Sequence, residues 1–311
     1  MKTQHLALAL CVALIWALNV IFMKFAMQEI PPLFFTLLRM LVVFPILLFV
    51  RPQYLPWHYM FPISIFWGIG HYVLIGVGIN FGMGAGITTL ILQLNPFFSI
   101  LFAMLLLKET PRFFQLLGML LAFYGIYVLS SSQDTNVTLY GLLSISTSAA
   151  CMGMSNVLIK KMQKSFPTTD SLSLPIWIFL YTTPFLFALS IYFEGKDVML
   201  SSLMNASPRS FIVILFSGWV SMIVAMKLWG FLLATYPVSM VAPFSMFAPV
   251  FSLLISFFLL GENLTSNGST ALILVFSGLI INQFSSKIIK FIHIFAFKFF
   301  NIMLNIKIKL K

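Results

Sequence analysis

Long apolar runs separated by short polar breaks fill almost the whole chain. The runs are continuous rather than alternating, a pattern that indicates helices and not strands. Each is close to the roughly 20 residues that a helix needs to cross a bilayer, and a helix pairs its own backbone groups in lipid. The pattern predicts an all-α polytopic membrane protein with ten transmembrane helices. They lie at about 4–26, 33–50, 59–80, 84–107, 112–130, 138–160, 172–193, 209–234, 238–260 and 268–286.

A polar stretch at 130–138 divides the spans into two groups of five, and the groups are related in sequence. The run from Pro96 to Glu109 recurs 153 positions later, from Pro249 to Glu262, with seven of fourteen positions identical. At an offset of 136, Ala17, Asn19, Lys24 and Pro31 correspond to Gly153, Ser155, Lys160 and Pro167. A repeat at about half the chain length indicates a duplication.

The number of spans in each group determines how the halves lie in the membrane. Because five is odd, the second group must cross in the opposite sense to the first. We therefore predict two inverted five-helix repeats, at 4–130 and 138–286, followed by a basic amphipathic tail at 287–311. Inverted repeats place a substrate site near the midplane between the halves, so the architecture indicates a transporter that works by alternating access.

The composition is that of a chain surrounded by lipid. Only 8% of the residues are charged, whereas soluble domains carry about 25%. The net charge of +11 does not require nucleic acid, because the basic residues lie in short loops and in the tail. Their distribution predicts that both termini lie in the cytoplasm. The apolar run from about Leu6 to Phe25 shows no convincing small-residue cleavage site, which predicts a first span that is retained. The tail is an interfacial helix, an eleventh span or a disordered segment.

Several motifs carry a family resemblance over residues 4–285. They are Trp16-Ala-Leu-Asn19 with Lys24, Pro31-Pro32 with Leu38-Arg39, Asn80-Phe-Gly-Met-Gly-Ala-Gly86, Val241-Ala-Pro243, and the two runs from proline to glutamate. The chain resembles the EamA family of the drug/metabolite transporter superfamily. It looks most like the bacterial exporters of amino-acid metabolites such as O-acetylserine and cysteine. The resemblance implies ten helices in two inverted repeats, export of small metabolites and a location in the bacterial inner membrane.

Two basic side chains fall inside spans, where charge is costly and marks a functional candidate. Arg39 lies about two turns into the second span, and its planar fork fits a substrate carboxylate. It could instead reach the interface or bind backbone carbonyls. Lys227 lies near the middle of the eighth span, where we expect it to face the cavity and pair with an anionic substrate group.

Other polar and aromatic residues complete the candidate substrate path. His71 is a candidate proton carrier, or alternatively a neutral packing residue with hydrogen bonds. Single aromatic residues often serve packing or the membrane interface. The remaining path candidates are Trp16, Asn19, Tyr72, Asn95, Trp219 and Trp229. Pro96 and Pro249 break helix hydrogen bonding near the centre, which suits backbone that lines a cavity.

No Asp or Glu lies in the middle of any predicted span. An exporter that exchanges lipophilic cations for protons needs such a carboxylate, so we predict against that function. Proton coupling would run through His71, Lys227 or the substrate itself, and uncoupled facilitated export is equally open. We expect no catalytic residue, metal site or cofactor. The expected partners are a small-molecule substrate and the lipid bilayer, without nucleic acid, as a monomer or a homodimer.

Two other functions are consistent with a polytopic helical chain. An intramembrane lipid-modifying enzyme would need clustered His, Asp, Glu or Cys near one interface, and the sequence shows no such cluster. A channel would give conductive flux rather than saturable exchange. We favour a secondary transporter, an exporter of amino acids or their derivatives, and not an enzyme.

Overall fold

A computed structural model describes residues 1–49, 52–130, 137–166, 173–236, 238–262 and 266–285, and these residues form helices and no strands. The helices are α1 (Thr3–Ala26), α2 (Pro32–Leu41), α3 (Trp57–Asn80), α4 (Ala85–Leu107), α5 (Phe113–Ser130), α6 (Leu139–Ser165), α7 (Ser173–Phe193), α8 (Lys196–Asn205), α9 (Pro208–Thr235), α10 (Phe247–Leu260) and α11 (Ser266–Ser285). A 3₁₀ segment, Phe44–Leu48, follows α2, and the short helices Val238–Val241 and Ala242–Met246 precede α10.

Most of these helices match a lipid environment. Seven of those described are long and apolar enough to cross a membrane, namely α1, α3, α4, α6, α7, α9 and α11. The helices α2, α5 and α10 are apolar but shorter. Large apolar side chains stay on the outside: Tyr192, Phe258 and Leu120 are 81%, 77% and 67% exposed. The fold is therefore that of a multi-pass membrane protein whose surface faces lipid.

The predicted apolar runs are helical over most of their described length. The sixth helix runs further than predicted, to Ser165. The run predicted at 238–260 is divided among two short helices and α10. The helix α8 was not predicted, because ten residues of mixed polarity are too short to give a span signal. The tail predicted at 287–311 lies outside the described residues.

Two long helices contain π-helical stretches at matching places. The stretch covers Ser64–His71 in α3 and Phe216–Val224 in α9, which the 153-residue offset brings close to register. A π-helix widens the helical turn and occurs often at functional sites. In α4 the helix is interrupted at Gln93 and Leu94, before Pro96, whose missing N–H cannot continue the hydrogen-bond ladder.

The ends of α4 and α10 have the same geometry. Each ends in a residue with left-handed backbone, Lys108 at φ 54° and Gly261 at φ 65°. The N–H of the next residue, Glu109 or Glu262, donates to a carbonyl six positions back, at 3.2 Å in both helices. This is a helix C-cap that glycine adopts without strain, and the lysine holds it despite its Cβ. The two carboxylates thus leave their helices in equivalent ways.

The first helix of each sequence half packs against helices of the other half. The helix α1 contacts α9 and α10, whereas α6 contacts α3 and α4. The helices α2 and α7 pack against each other. The helices α5 and α11 approach closely at Gly118 and Gly278, where a Cβ on Gly118 would lie 2.5 Å from the Gly278 carbonyl oxygen. One buried apolar cluster extends through both halves, so they form a single packed body.

Candidate functional site

A cavity of about 730 Å³ lies inside the bundle. Its walls come from α1 to α6, from α9 to α11, and from the segment that precedes α10, so both sequence halves contribute. A space of this size suits a small-molecule ligand. Seven of the residues singled out in the sequence line it, and these are Trp16, Asn19, Arg39, His71, Tyr72, Asn95 and Pro96.

The lining also contains polar residues that were not singled out in the sequence. Four of them are side-chain amides, Gln93, Asn156, Asn282 and Gln283. All four lie in predominantly apolar spans. A side-chain amide within an apolar span was therefore the signal that could have identified them.

Four predicted site residues lie outside the lining. Trp219 is partly buried against the apolar cluster, and Pro249 is buried within α10. The Trp229 ring lies 5.2 Å from the ring of Trp16 and packs behind a residue of the cavity wall. Lys227 is exposed on α9. Its expected cavity-facing position is corrected accordingly.

Arg39 is a buried charge in the cavity wall, with 1% of its surface exposed. Its guanidinium carbon lies 4.4 Å from the centre of the Tyr72 ring, a cation–π contact. Its Nη1 donates to the Met23 sulfur at 3.6 Å, and Nε has no hydrogen-bond partner among the described residues. None of the described lining residues is acidic. A buried charge without a counter-ion is costly, so this position suits an anionic group.

Asn19 lies on α1 beside the same methionine. Its Nδ2 donates to the Met23 sulfur at 3.6 Å, which orients the amide with its nitrogen towards the sulfur. Its Oδ1 is buried and accepts no hydrogen bond from the residues that the structure describes. A thioether sulfur is a weak acceptor, so neither Asn19 nor Arg39 has a strong partner there.

His71 is held by one residue of α6. The Ser148 hydroxyl donates to the His71 backbone carbonyl at 2.8 Å. The ring Nδ1 lies 3.0 Å from that hydroxyl oxygen and 3.3 Å from the Ser148 carbonyl oxygen. Because both of these oxygens can accept, the network assigns a proton to Nδ1.

The interruption of α4 creates a chain of hydrogen bonds beside the cavity. Asn95 Nδ2 donates to the Leu92 carbonyl at 3.1 Å, just before Pro96. The Ser99 hydroxyl donates to the Asn95 carbonyl at 2.8 Å and accepts from Asn156 Nδ2 at 3.1 Å. The bond from Asn156 connects α6 to α4, and Asn95 Nδ2 supplies the Leu92 carbonyl with the donor that Pro96 lacks.

At one end of the bundle, an ion pair that is also a helix cap ties three helices together. Lys24 Nζ lies 2.6 Å from Glu262 Oε1, and the Glu262 side chain is only 8% exposed. The same carboxylate accepts the N–H groups of Ala85 and Gly86 at 3.0 and 3.3 Å. It therefore caps the N-terminus of α4, where the helix dipole favours negative charge. One carboxylate connects the ends of α1 and α10 to the start of α4.

Two further carboxylates cap helices at this end of the bundle. Glu194 accepts the N–H groups of Leu33 and the next residue at 2.7 and 2.9 Å, at the start of α2. Glu29 accepts the Ser207 N–H and the Ser210 hydroxyl, both at 2.7 Å, at the start of α9. Both bonds lower the pKa of Glu29, and the bond from the Ser207 N–H lowers it more than the bond from the Ser210 hydroxyl does.

The cavity extends towards the opposite end of the bundle. Because α1 ends where α4 begins, α4 ends at the other end, and α5 begins there. The lining at that end includes Arg112 and Gln115 beside the start of α5, and Gln283 and Ser285 at the end of α11. The described cavity is thus asymmetric: one end is tied by carboxylates and the other is lined by polar side chains.

A second ion pair lies at this other end. Lys160 Nζ lies 2.7 and 2.8 Å from the two carboxylate oxygens of Glu109, and the hydrogen bond from Lys160 lowers the pKa of Glu109. In the sequence repeat, Lys160 corresponds to Lys24 and Glu109 to Glu262. The pair is far more open than its counterpart, with side chains 52% and 42% exposed.

The fold and cavity together define a class of protein. A bundle of apolar helices around a central cavity, tied together at one end and polar at the other, is the arrangement of a membrane transporter. The sequence profile of the EamA-like transporter family matches residues 4–131 and, separately, residues 139–284. The chain belongs to the EamA-like transporter family.

Its relatives include two proteins that share 31% identity with it. One, from Salmonella typhimurium strain LT2, aligns over 285 residues, 90% of this chain and 95% of its own length. The other, from Escherichia coli strain K12, aligns over 287 residues, which are 91% of this chain and 96% of its own length. Both are named probable amino-acid metabolite efflux pumps. One solved crystal structure superposes with a TM-score of 0.61 at 16% identity, covering 90% of this chain and 96% of that one. At this identity the likeness concerns the fold alone.

Proposed function

We propose that this chain is a secondary transporter that exports amino acids or their derivatives across the bacterial inner membrane by alternating access. The observation that carries the proposal is the asymmetric cavity between the sequence halves. At one end Glu262 ties α1, α4 and α10 together, while the lining at the other end includes Arg112 and Gln283. A carrier needs such a cavity, closed to one side of the membrane at a time.

The proposal includes ten membrane helices, α1 to α7 and α9 to α11, arranged as two five-helix repeats at 4–130 and 138–286. The family profile, which matches twice, supports this division. The exchanged packing supports it too, because α1 contacts α9 and α10 as α6 contacts α3 and α4. The repeat relates α1 to α6, α3 to α9 and α4 to α10, so the contacts of α1 and those of α6 are equivalent.

The crossing of α5 and α11 supports an inverted relation. The 153-residue offset converts the contact of Gly118 with Gly278 into one between Ala271 and Gly125. That second contact is present, since a Cβ on Gly125 would lie 3.0 Å from the Ala271 carbonyl oxygen. As the residue number rises along α5 it falls along α11, so these equivalent helices are antiparallel. Two equivalent helices related in this way cross the membrane in opposite senses.

The character of the cavity supports a substrate that carries a carboxylate. Over the residues that the structure describes, the lining contains Arg39 and Arg112 and no acidic side chain. A lipophilic cation would meet this positive charge without a counter-charge, which disfavours lipophilic-cation drugs as substrates. The names of the two relatives at 31% identity point to amino-acid metabolites as the substrates.

The proposed direction of transport, export, is supported by the names of the two relatives, and the predicted topology fits it. With both termini cytoplasmic, the end that carries Lys24 and Glu262 lies outside, and the polar end of the cavity faces the cytoplasm. A cavity accessible from the cytoplasm is the loading state of an exporter. In the proposed cycle, the Lys24 pair opens to release the substrate outside while the cytoplasmic end closes.

Counterflow in proteoliposomes tests the proposal. Vesicles loaded with unlabelled L-serine, L-cysteine or L-phenylalanine should accumulate the labelled compound by saturable exchange. In the variant Ile100→Trp, whose larger ring projects from the lining and narrows the cavity, the initial rate should fall by about tenfold or more. The matched control is Ile273→Trp on α11, where the native side chain is 65% exposed and outside the lining.

Other outcomes identify the alternative functions. Conductive flux that does not saturate would identify a channel. Turnover of membrane lipid without amino-acid flux would identify an intramembrane enzyme. Equal rates in Ile100→Trp and Ile273→Trp would show that the cavity is not the transport path.

A further inference from the structure

We propose that Arg39 and Asn19 form a subsite for the zwitterionic head group of an α-amino acid. Arg39 binds the carboxylate, and Asn19 Oδ1 accepts a hydrogen bond from the ammonium group. The inference rests on the proposed transport of amino-acid compounds, and it identifies the two residues that select them.

The first support is a pair of buried polar atoms without partners. Nε of Arg39 and Oδ1 of Asn19 are both buried, and neither makes a hydrogen bond within the described residues. The two residues are 1% and 8% exposed, and both line the cavity. Leaving a buried polar atom unpaired is destabilising, so these two atoms in one cavity wall call for partners that the described residues do not supply.

The second support is that one of these atoms is a donor and the other an acceptor. A simple anion would satisfy Arg39 but would leave Asn19 Oδ1 unpaired. A simple cation would satisfy Asn19 but would meet the guanidinium charge. A ligand with both a carboxylate and an ammonium group satisfies both atoms, and the planar fork of arginine suits the carboxylate.

The third support is the short distance between the two groups. Arg39 Nη1 and Asn19 Nδ2 both lie 3.6 Å from the sulfur of Met23, so they are at most twice that distance apart. In an α-amino acid the carboxylate and the ammonium are attached to one carbon atom, which makes a compact ligand for a compact site. The thioether is a weak acceptor that ligand oxygens can replace at little cost.

The subsite explains how one cavity could accept amino acids with different side chains. The head group would be fixed against α1 and α2, while the substrate side chain occupies the remaining space towards Asn156 and Gln283. Recognition of this kind depends on the two charges of the ligand and little on the side chain that its α-carbon carries.

Ligand binding to the purified full-length protein in detergent tests the subsite without requiring transport. The probes are L-serine and L-phenylalanine, each with its methyl ester, which lacks the carboxylate charge, and its N-acetyl derivative, which lacks the ammonium. Binding is read from the ligand-dependent rise in Tm. We expect the free amino acid to half-saturate at a concentration about tenfold or more below both derivatives, since each derivative leaves one buried atom unpaired.

Two variants should separate the two contacts. In Asn19→Leu, the preference for the free amino acid over its N-acetyl derivative should disappear, while the preference over the ester remains. In Arg39→Gln the reverse should hold, and Arg39→Lys should keep part of the preference over the ester because it keeps the charge. The controls Asn205→Leu and Arg209→Gln change exposed side chains of the same types and should keep both preferences.

The outcomes are distinguishable from those of the counterflow experiment. If the wild type prefers the free amino acid over neither derivative, the subsite is overturned, whether or not Arg39 variants fold. Both preferences surviving in Asn19→Leu and in Arg39→Gln would overturn it as well. Binding with the expected pattern but no counterflow would refute export and leave the subsite standing.

Discussion

Gly118 and Gly278 are in backbone contact where α5 crosses α11. A Cβ added to either residue would collide with the carbonyl oxygen of the other. The collision is with backbone atoms, which cannot rotate away as a flexible side chain can. Only glycine therefore fits at either position, and the backbones of the two helices pack directly against each other there.

Enlarging either glycine should destabilise the protein. We expect Gly118→Val and Gly278→Val each to cost about 1–3 kcal/mol, since overpacking forces the helices apart. Thermal unfolding in detergent measures the loss as a lower Tm. The matched control is Leu120→Val on α5, where the side chain is 67% exposed and little change is expected. Unfolding of both glycine variants at the wild-type temperature would contradict the close crossing.

Removing the charge of Glu262 should open the end of the bundle that carries Lys24. The amide in Glu262→Gln can still accept the N–H of Ala85, but it loses the ion pair and the favourable interaction with the helix dipole. A loss of about 1–2 kcal/mol would raise the population of the open form roughly 5–30-fold.

Cysteine accessibility measures this opening. Thr89 lines the cavity and is buried, so Thr89→Cys, with Cys11 and Cys151 replaced, reports access of an impermeant maleimide from the Lys24 side. Labelling should accelerate in Glu262→Gln and stay near the wild-type rate in Glu109→Gln, whose ion pair is exposed. Equal acceleration in both variants would argue against closure of the bundle by Glu262.

The Glu29 cap should stabilise the protein in a pH-dependent way. Its pKa lies below the ordinary 4.5, because the Ser207 N–H and the Ser210 hydroxyl bond to the carboxylate. Because the pKa of Glu29 is lower in the folded chain than in the unfolded chain, the ionised carboxylate stabilises the fold at pH values above 4.5. This stabilisation is lost as the pH falls through the folded-state pKa. The Tm difference between wild type and Glu29→Gln should therefore be full near about pH 6 and shrink below pH 4.5.

The serine donor provides the control for this pH dependence. Ser210→Ala removes one of the two hydrogen bonds to the Glu29 carboxylate, so the carboxylate stabilises the fold less. In this background, Glu29→Gln should lower the Tm by a smaller amount at the same pH. A Tm difference that stays constant from neutral to acidic pH would show that the carboxylate charge is not what the cap uses.

Lys227 should be dispensable for substrate binding. Its side chain is exposed on α9 and lies outside the cavity lining. We expect Lys227→Met to keep the half-saturating concentration of each carboxylate substrate and not to lower the Tm, since it removes a costly charge from the middle of a span. Counterflow across a range of substrate concentrations measures the first and thermal unfolding the second. A loss of carboxylate substrates in this variant would restore the cavity-facing interpretation.

The helices were predictable because apolar runs and their breaks are local features of the sequence. The equivalence of Glu109 and Glu262 was also visible, since the repeat aligns them. Their pairing with Lys160 and Lys24 was not, because a local pattern does not say which distant helix will lie alongside. The same holds for the hydrogen bonds between His71 and Ser148, which join α3 to α6.

The sequence predicted which residues lie deep in a span better than it predicted which face of the helix each one occupies. Depth in a span identified Arg39 and Asn19, and it identified Lys227 by the same logic. Which face a residue occupies depends on the phase of the helix. The π-helical stretch Phe216–Val224 precedes Lys227, and each extra residue in a turn rotates all later side chains by about 100°. A sequence read with one fixed helical period does not contain that rotation.

The Lys24–Glu262 pair has a consequence for the order of assembly during synthesis. The two residues are 238 positions apart, and α9 and α10, the neighbours of α1, are made late. The packing of the first helix is therefore completed only after most of the chain has been made, a late, non-local event of the kind that slows folding. A chain that ends before residue 262 would lack the carboxylate that pairs with Lys24.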